Sequence, residues 1–160
     1  MVINDTQAML LGLLRDAPTA CTGGELLAAA RDQYGPFWYA PRSQVYRELP
    51  AMHGTGLVKG DGVRTGRWSI TSAGRRALVK WLDEAPKLLG PRDPVALRIA
   101  LGNNAAWLRY QVEAFHIDAL RDAGVAKQKA VKAKRDDLLL ALQFAIAYHR
   151  AALAWVRKWR

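Results

Sequence analysis

Apolar residues in the first half of the chain recur mostly in steps of three and four, broken by one short segment that favours extended structure. Leu10, Leu11, Leu13 and Leu14 fall within a first helix that Asp5 or Thr6 can cap. Thr22-Gly23-Gly24-Glu25 has the form of a capping box, in which hydroxyl and carboxylate each satisfy an orphan backbone donor. The helix it opens carries Leu26, Leu27, Ala30 and Tyr34 on one face, and Gly35-Pro36 ends it. A third helix starts near Pro41–Ser43, with Val45, Leu49 and Met52 as its buried stripe. Its opposite face presents Ser43, Gln44, Arg47, Pro50 and Ala51, and Pro50 is expected to bend or shorten it late.

Leu57-Val58-Lys59 and Arg67-Trp68-Ser69-Ile70 are short β-prone runs flanking a Gly-rich basic loop, so they predict a hairpin. Thr71 can cap a fourth helix containing Leu78, Val79, Trp81 and Leu82. The rest reads as helix. One begins after Asp93-Pro94, a second is expected over about 105–123 with Gly124 as its stop, and a last runs from about 126 onward. In that last helix Leu139, Leu142, Ile146, His149, Leu153 and Val156 form a seam for packing against another helix. Pro and Gly between residues 86 and 94 mark the boundary of two units, 1–85 and 92–160. The expected fold is mainly α: a winged helix-turn-helix with a small β-hairpin wing, then an all-helical domain.

Charge narrows the function. The 160 residues carry 24 Lys plus Arg against 14 Asp plus Glu, a formal net charge of +10, which draws polyanions. Between Pro41 and Trp81 lie eight bases (Arg42, Arg47, Lys59, Arg64, Arg67, Arg75, Arg76 and Lys80) and two acids, Glu48 and Asp61. A basic surplus concentrated on a helix-turn-helix and its wing is the electrostatic footprint of a DNA-binding module. Arg, Gln and Ser read base edges, while hydroxyls and cations hold phosphates.

Other chemistry has little support. Cys21 is the single cysteine, so no internal disulfide or multi-Cys metal site is expected. His53, His116 and His149 lie too far apart in sequence for a local metal motif, and His149 reads as an interface histidine on an apolar seam. No phosphate loop, paired-carboxylate motif or nucleophile signature is seen, so neither enzyme activity nor a cofactor is expected. The chain shows no long uninterrupted apolar run, and Met1 to Asp5 lack the pattern of a leader. A cytoplasmic protein without a membrane partner is the expectation. Phe37-Trp38-Tyr39 ahead of the third helix reads as a staple in which Trp38 packs, with a phosphate contact by Trp38 or Tyr39 as the alternative. The basic run Lys127, Lys129, Lys132, Lys134 and Arg135 reads as a solvated face, with a second DNA contact as the alternative.

Four segments carry a resemblance: Leu10-Leu11-Gly12-Leu13-Leu14, Ser43-Gln44-Val45-Tyr46-Arg47-Glu48-Leu49, Gly56-Leu57-Val58 and Ile70-Thr71-Ser72-Ala73-Gly74-Arg75-Arg76-Ala77-Leu78. In this order and spacing they resemble the PadR family of transcriptional regulators over roughly residues 7–82. Arg92-Asp93-Pro94-Val95-Ala96-Leu97-Arg98 and Ala154-Trp155-Val156 resemble, more loosely, the C-terminal helices of its longer subfamily. The segment entering the second helix departs from the Gly-Tyr pair common in that family.

The resemblance implies a homodimer joined through C-terminal helices that binds a palindromic operator in double-stranded DNA, usually as a repressor. It places Tyr46 and Arg47 on the recognition helix with Ser43, Gln44 and Arg42 beside them, and Lys59, Arg64 and Arg67 at the wing. It also implies response to a small aromatic or drug-like effector, for which Trp107 and Trp155 are the candidate contacts. Two alternatives stand beside it: a basic helical module binding nucleic acid or anionic surfaces nonspecifically, and a winged helix that grips a protein partner.

Overall fold

The computed structural model describes residues 2–60, 66–86, 93–102 and 106–159. The chain divides into two compact units, Met1–Pro86 and Lys87–Arg160.

In the first unit the order is α1 (Asp5–Asp16), β1 (Cys21–Thr22), α2 (Gly23–Tyr34), α3 (Arg42–Gly54), β2 (Val58–Gly60), β3 (Arg67–Ile70) and α4 (Ser72–Asp83). Asn4, not Asp5 or Thr6, caps α1: its side chain accepts from Gln7 N at 2.9 Å, and Asn4 N donates to Gln7 Oε1. Thr6 is instead buried inside the first turn. The capping box of Thr22 and Glu25 forms as expected, and Thr71 caps α4.

The hairpin of β2 and β3 gains a third antiparallel strand, in the order β1-β3-β2, with Cys21 opposite Trp68 and Thr22 opposite Arg67. Two residues carry no strand periodicity, so β1 was not legible beforehand. Pro50 lies within α3, which continues to Gly54. Proline removes only the bond to the Tyr46 carbonyl, and on this exposed face water can serve that oxygen.

Leu10, Leu11, Leu26, Val45, Leu49, Met52, Leu57 and Val58 are almost wholly buried and form the centre of one core, roofed by Trp68, Ile70 and Leu78. Truncating any of its leucines to alanine would cost about 2–5 kcal/mol. At Gly74 a Cβ would stand 2.2 Å from the Leu57 carbonyl oxygen, so the glycine lets α4 start directly against the residue that leads into β2.

The second unit contains α5 (Pro94–Ala100), α6 (Ala106–Lys132) and α7 (Asp136–Val156). Asp93 caps α5, accepting from Val95 N and Ala96 N, with Pro94 at the first position. The long helix does not stop at Gly124. Ala123, Ala126 and Ala130 are buried along its packed stripe on both sides of the glycine, and that burial outweighs a propensity cost of about 1 kcal/mol. The chain turns at Lys134, which takes φ 54°. Arg135 N donates to Ala130 O and Lys134 N to Val131 O, the paired bonds of a Schellman motif with lysine where glycine is usual.

α6 and α7 pack on one another. The buried seam of α7 is Leu138, Leu142, Ala145, His149, Leu153 and Val156, while Leu139 and Ile146 lie half-buried beside it. By length and composition α7 could cross a membrane, yet it pairs with α6 and carries His149 on its seam. Arg157 Nε meets Glu113 Oε1 at 2.9 Å and Arg109 donates to the Trp159 carbonyl, which fastens the end of α7 to the start of α6.

Candidate nucleic-acid interface

The first turns of α3 are held at their orientation by polar contacts as well as by the core. Gln44 Nε2 donates to Thr6 Oγ1 at 2.7 Å, and Gln7 Nε2 donates to Glu48 Oε2 at 2.9 Å. Glu48 is buried, and its other oxygen accepts from Arg47 Nη2 at 3.2 Å. The acid of α3 therefore turns inward and subtracts little from the charge of the outer face. Gln44, expected as a groove contact, is half-buried and engaged with α1. Both bonds span about forty residues of sequence and leave no local signal, so the bracing role of Gln44 and Glu48 could not be read beforehand.

Arg42, Ser43, Tyr46 and Arg47 remain on the exposed side of α3. Tyr46 keeps 45% of its surface in solvent, and the Arg47 side chain keeps 70%. The Arg42 guanidinium lies 5.1 Å from the Tyr46 ring centroid, a cation–π contact. Tyr46 also rests on α2: its Cε1 and Cζ stand 3.1 and 3.2 Å from where a Cβ on Gly23 would be, and its hydroxyl 3.8 Å from that position on Gly24. This brings a phenol and an arginine to the N-terminus of a helix, the positive end of its dipole. Helix N-termini, hydroxyls and cations together make a phosphate-holding surface. Thr22-Gly23-Gly24 was legible as a helix start, but its closeness to Tyr46 was not.

Lys59 is exposed on β2, opposite Ser69. Arg67, expected at the wing, is exposed on β3; its Nη2 donates to Ala20 O at 2.7 Å and lies 3.7 Å from Glu25 Oε2, tying β3 to the approach of α2. Arg64 lies outside the described residues. Two hydrogen bonds from Thr22 hold the Glu25 carboxyl below its ordinary value, so it stays charged beside Arg67. The Cys21 thiol is pushed up, mainly by burial and then by Glu25, with Arg67 opposing.

Of the Phe37-Trp38-Tyr39 cluster, Phe37 packs on Tyr34 with ring centroids 6.0 Å apart, whereas Trp38 and Tyr39 are exposed. Trp38 keeps 38% of its surface in solvent, so the expectation that it packs is met only in part.

In the second unit, His116 and His149, 33 residues apart, meet inside the α6–α7 pair with their Nδ1 atoms 2.9 Å apart. Both are buried, with Phe115 and Tyr148 set edge-on around them. His149 is thus partnered within its own chain. Burial first, then His149, lowers the His116 pKa, with Asp93 opposing. Beside the pair lies a cleft of ≈ 270 Å³ walled by Asp93, Val95, Val112, His116, Tyr148 and Trp155, with Ala151 and Ala152. Trp155 is therefore placed on a cavity; Trp107 is exposed on α6 and is not among its walls. Within the basic run, Arg135 makes two bonds to Asp137 and draws its carboxyl down to about 2, while Lys127 and Lys132 line a separate groove with Arg150. Among the described residues no group of three or more His, Cys, Asp or Glu is arranged to hold a metal.

No family model matches the sequence, and no curated protein does. Solved structures match over nearly its whole length. A PadR-like transcriptional regulator of Bacillus cereus shares 17% identity at a TM-score of 0.79, covering 96% of this chain and 94% of that one. Bacillus subtilis PadR in complex with operator DNA gives 20%, 0.72, 98% and 96%, and its complex with p-coumaric acid gives 19%, 0.60, 94% and 94%. The Vibrio cholerae virulence activator AphA gives 24%, 0.68, 96% and 95%. The chain has the fold of the PadR-like regulators: a winged helix followed by packed C-terminal helices.

Proposed function

We propose that this protein is a DNA-binding transcriptional regulator of the PadR family and catalyses no reaction. In this reading it works in the cytoplasm as a homodimer, with residues 1–85 on the DNA and residues 92–160 joining the two copies. Two recognition helices enter successive major grooves of a palindromic operator, about one helical turn apart. The protein acts as a repressor, and a small aromatic effector releases it by binding more tightly to the DNA-incompetent arrangement.

The observation that carries this reading is the outer face of α3. Arg42, Ser43, Tyr46 and Arg47 are exposed together, while the acid of that helix is turned inward. Arg47 and Ser43 are assigned to base edges or phosphate, Arg42 and Tyr46 to phosphate beside the start of α2, and Lys59 and Arg64 to the wing. Gln44 and Arg67 each hold an internal bond and are assigned to supporting the interface rather than to first contact. The dimer reading draws on Tyr110, Phe115, Leu140 and Phe144, large apolar side chains exposed on the α6–α7 unit. The operator-bound and p-coumarate-bound structures of Bacillus subtilis PadR, which shares the fold, support the DNA and effector parts.

Selection from a randomised duplex library tests the reading. Enrichment of a palindrome bound at least about a thousandfold more tightly than random DNA is expected. Equal binding to all duplexes with a steep salt dependence would establish a nonspecific basic module instead.

A further inference from the structure

The cleft between α5, α6 and α7 has walls of one particular kind. Its ionised wall is Asp93, and neither lysine nor arginine lines it. The Asp93 carboxylate is fixed in place, because Oδ1 accepts from both Val95 N and Ala96 N at 2.8 Å. Tyr148 and Trp155 supply aromatic surface, and Ala151 and Ala152 leave room for a flat ring between larger side chains. The His116 ring is fixed by its bond to His149. Burial keeps that ring uncharged at neutral pH, so it does not offset the carboxylate. At ≈ 270 Å³ the space suits a single-ring molecule better than a drug-sized polycycle.

We infer that this cleft binds a small aromatic cation, with its ring among Tyr148, Trp155 and the alanines and its positive group toward Asp93. A cation there gains both a carboxylate partner and the negative faces of the aromatic rings. An aromatic carboxylate of the same size would set its charge against Asp93. This rests on the effector reading above and gives that effector a charge.

Calorimetric titration of the purified protein, without DNA, with three probes that share one phenol ring tests it. The probes are tyramine (cationic), tyrosol (neutral) and 4-hydroxyphenylacetate (anionic). Tyramine should bind at least about fivefold more tightly than tyrosol, with the acid weakest. In Asp93→Asn the helix cap is kept, since asparagine caps as well as aspartate, and tyramine should fall to the level of tyrosol. Trp155→Ala should weaken tyramine binding with the helical content unchanged. Equal or tighter binding of the acid, an Asp93→Asn variant that holds tyramine as before, or no saturable binding of any probe would overturn the inference. None of these outcomes bears on the duplex selection, so the regulator reading stands or falls separately.

Discussion

The ring of Tyr46 on α3 lies against the backbone of Gly23 on α2, closer than an alanine side chain there would allow without a shift of a few tenths of an ångström. Leu49 Cδ1 closes the same space at 3.4 Å. Gly23→Ala should therefore move Tyr46 while improving helix propensity, leaving stability within about 1 kcal/mol of the parent. DNA affinity should fall roughly threefold to tenfold, the worth of one hydrogen bond, and alike on all duplexes because a phosphate contact is lost. Thermal melting and fluorescence anisotropy on the same sample would check this; unchanged affinity would remove Tyr46 from the interface.

Arg47 and Arg67 should separate in their effects. Arg47 is mostly exposed, and the buried Glu48 keeps its bond from Gln7 without it, so Arg47→Ala should alter stability by less than about 1 kcal/mol. It should weaken operator binding by about 1–3 kcal/mol if the arginine reads a base. Arg67→Ala removes a bond to the Ala20 carbonyl and should cost about 1 kcal/mol of stability, with a smaller effect on affinity. Urea denaturation paired with DNA titration distinguishes them, and the reverse ranking would contradict both assignments.

The histidine pair predicts an acid-sensitive C-terminal unit. The His116 pKa is lowered in the folded chain, so between about 6.5 and that lower value the unfolded chain binds a proton that the folded chain does not. Stability should fall as pH drops below about 6.5, by at most about 1.4 kcal/mol per unit from this group. The loss should level off below the folded value, and above 6.5 the group should add no pH dependence. The lowered carboxyls of Glu25 and Asp137 act in a more acidic window. Urea midpoints from pH 7.5 to 5.0 should slope more gently in His116→Gln than in the parent; equal slopes would place the sensitivity elsewhere.

Lys134 occupies the left-handed position of the turn between α6 and α7. A side chain costs about 1–2 kcal/mol in that conformation, and glycine avoids most of it. Lys134→Gly should raise the midpoint of thermal unfolding by a few degrees. A drop would mean that the lysine makes a compensating contact.

Where an element was signalled by its own residues, the sequence told its place well. Thr22 with Glu25 marked α2, Thr71 marked α4, Asp93-Pro94 marked α5, and Val45, Leu49 and Met52 were the buried side of α3. The errors arose where a local rule met a tertiary one. Gly124 reads as a stop, but alanines packed on either side carry α6 past it. The true turn uses a lysine where glycine would have announced it. The exposed Ser43 and Arg47 of α3 were legible from helical spacing, whereas Arg42 and Tyr46 came only with the family resemblance. That Gln44 and Glu48 turn inward, that Arg67 reaches the Ala20 carbonyl, and that His116 finds His149 depend on pairings between distant segments.

Gln7 is such a pairing made by one amide. Its oxygen closes the first turn of α1 on Asn4, and its nitrogen holds Glu48 on α3. The aim of the helix assigned to DNA is thus inherited in part from the opening residues of the chain. A tag or fusion joined just ahead of Asn4 would load the part that sets that aim. One joined after α7 would be carried by the other unit and leave the aim untouched.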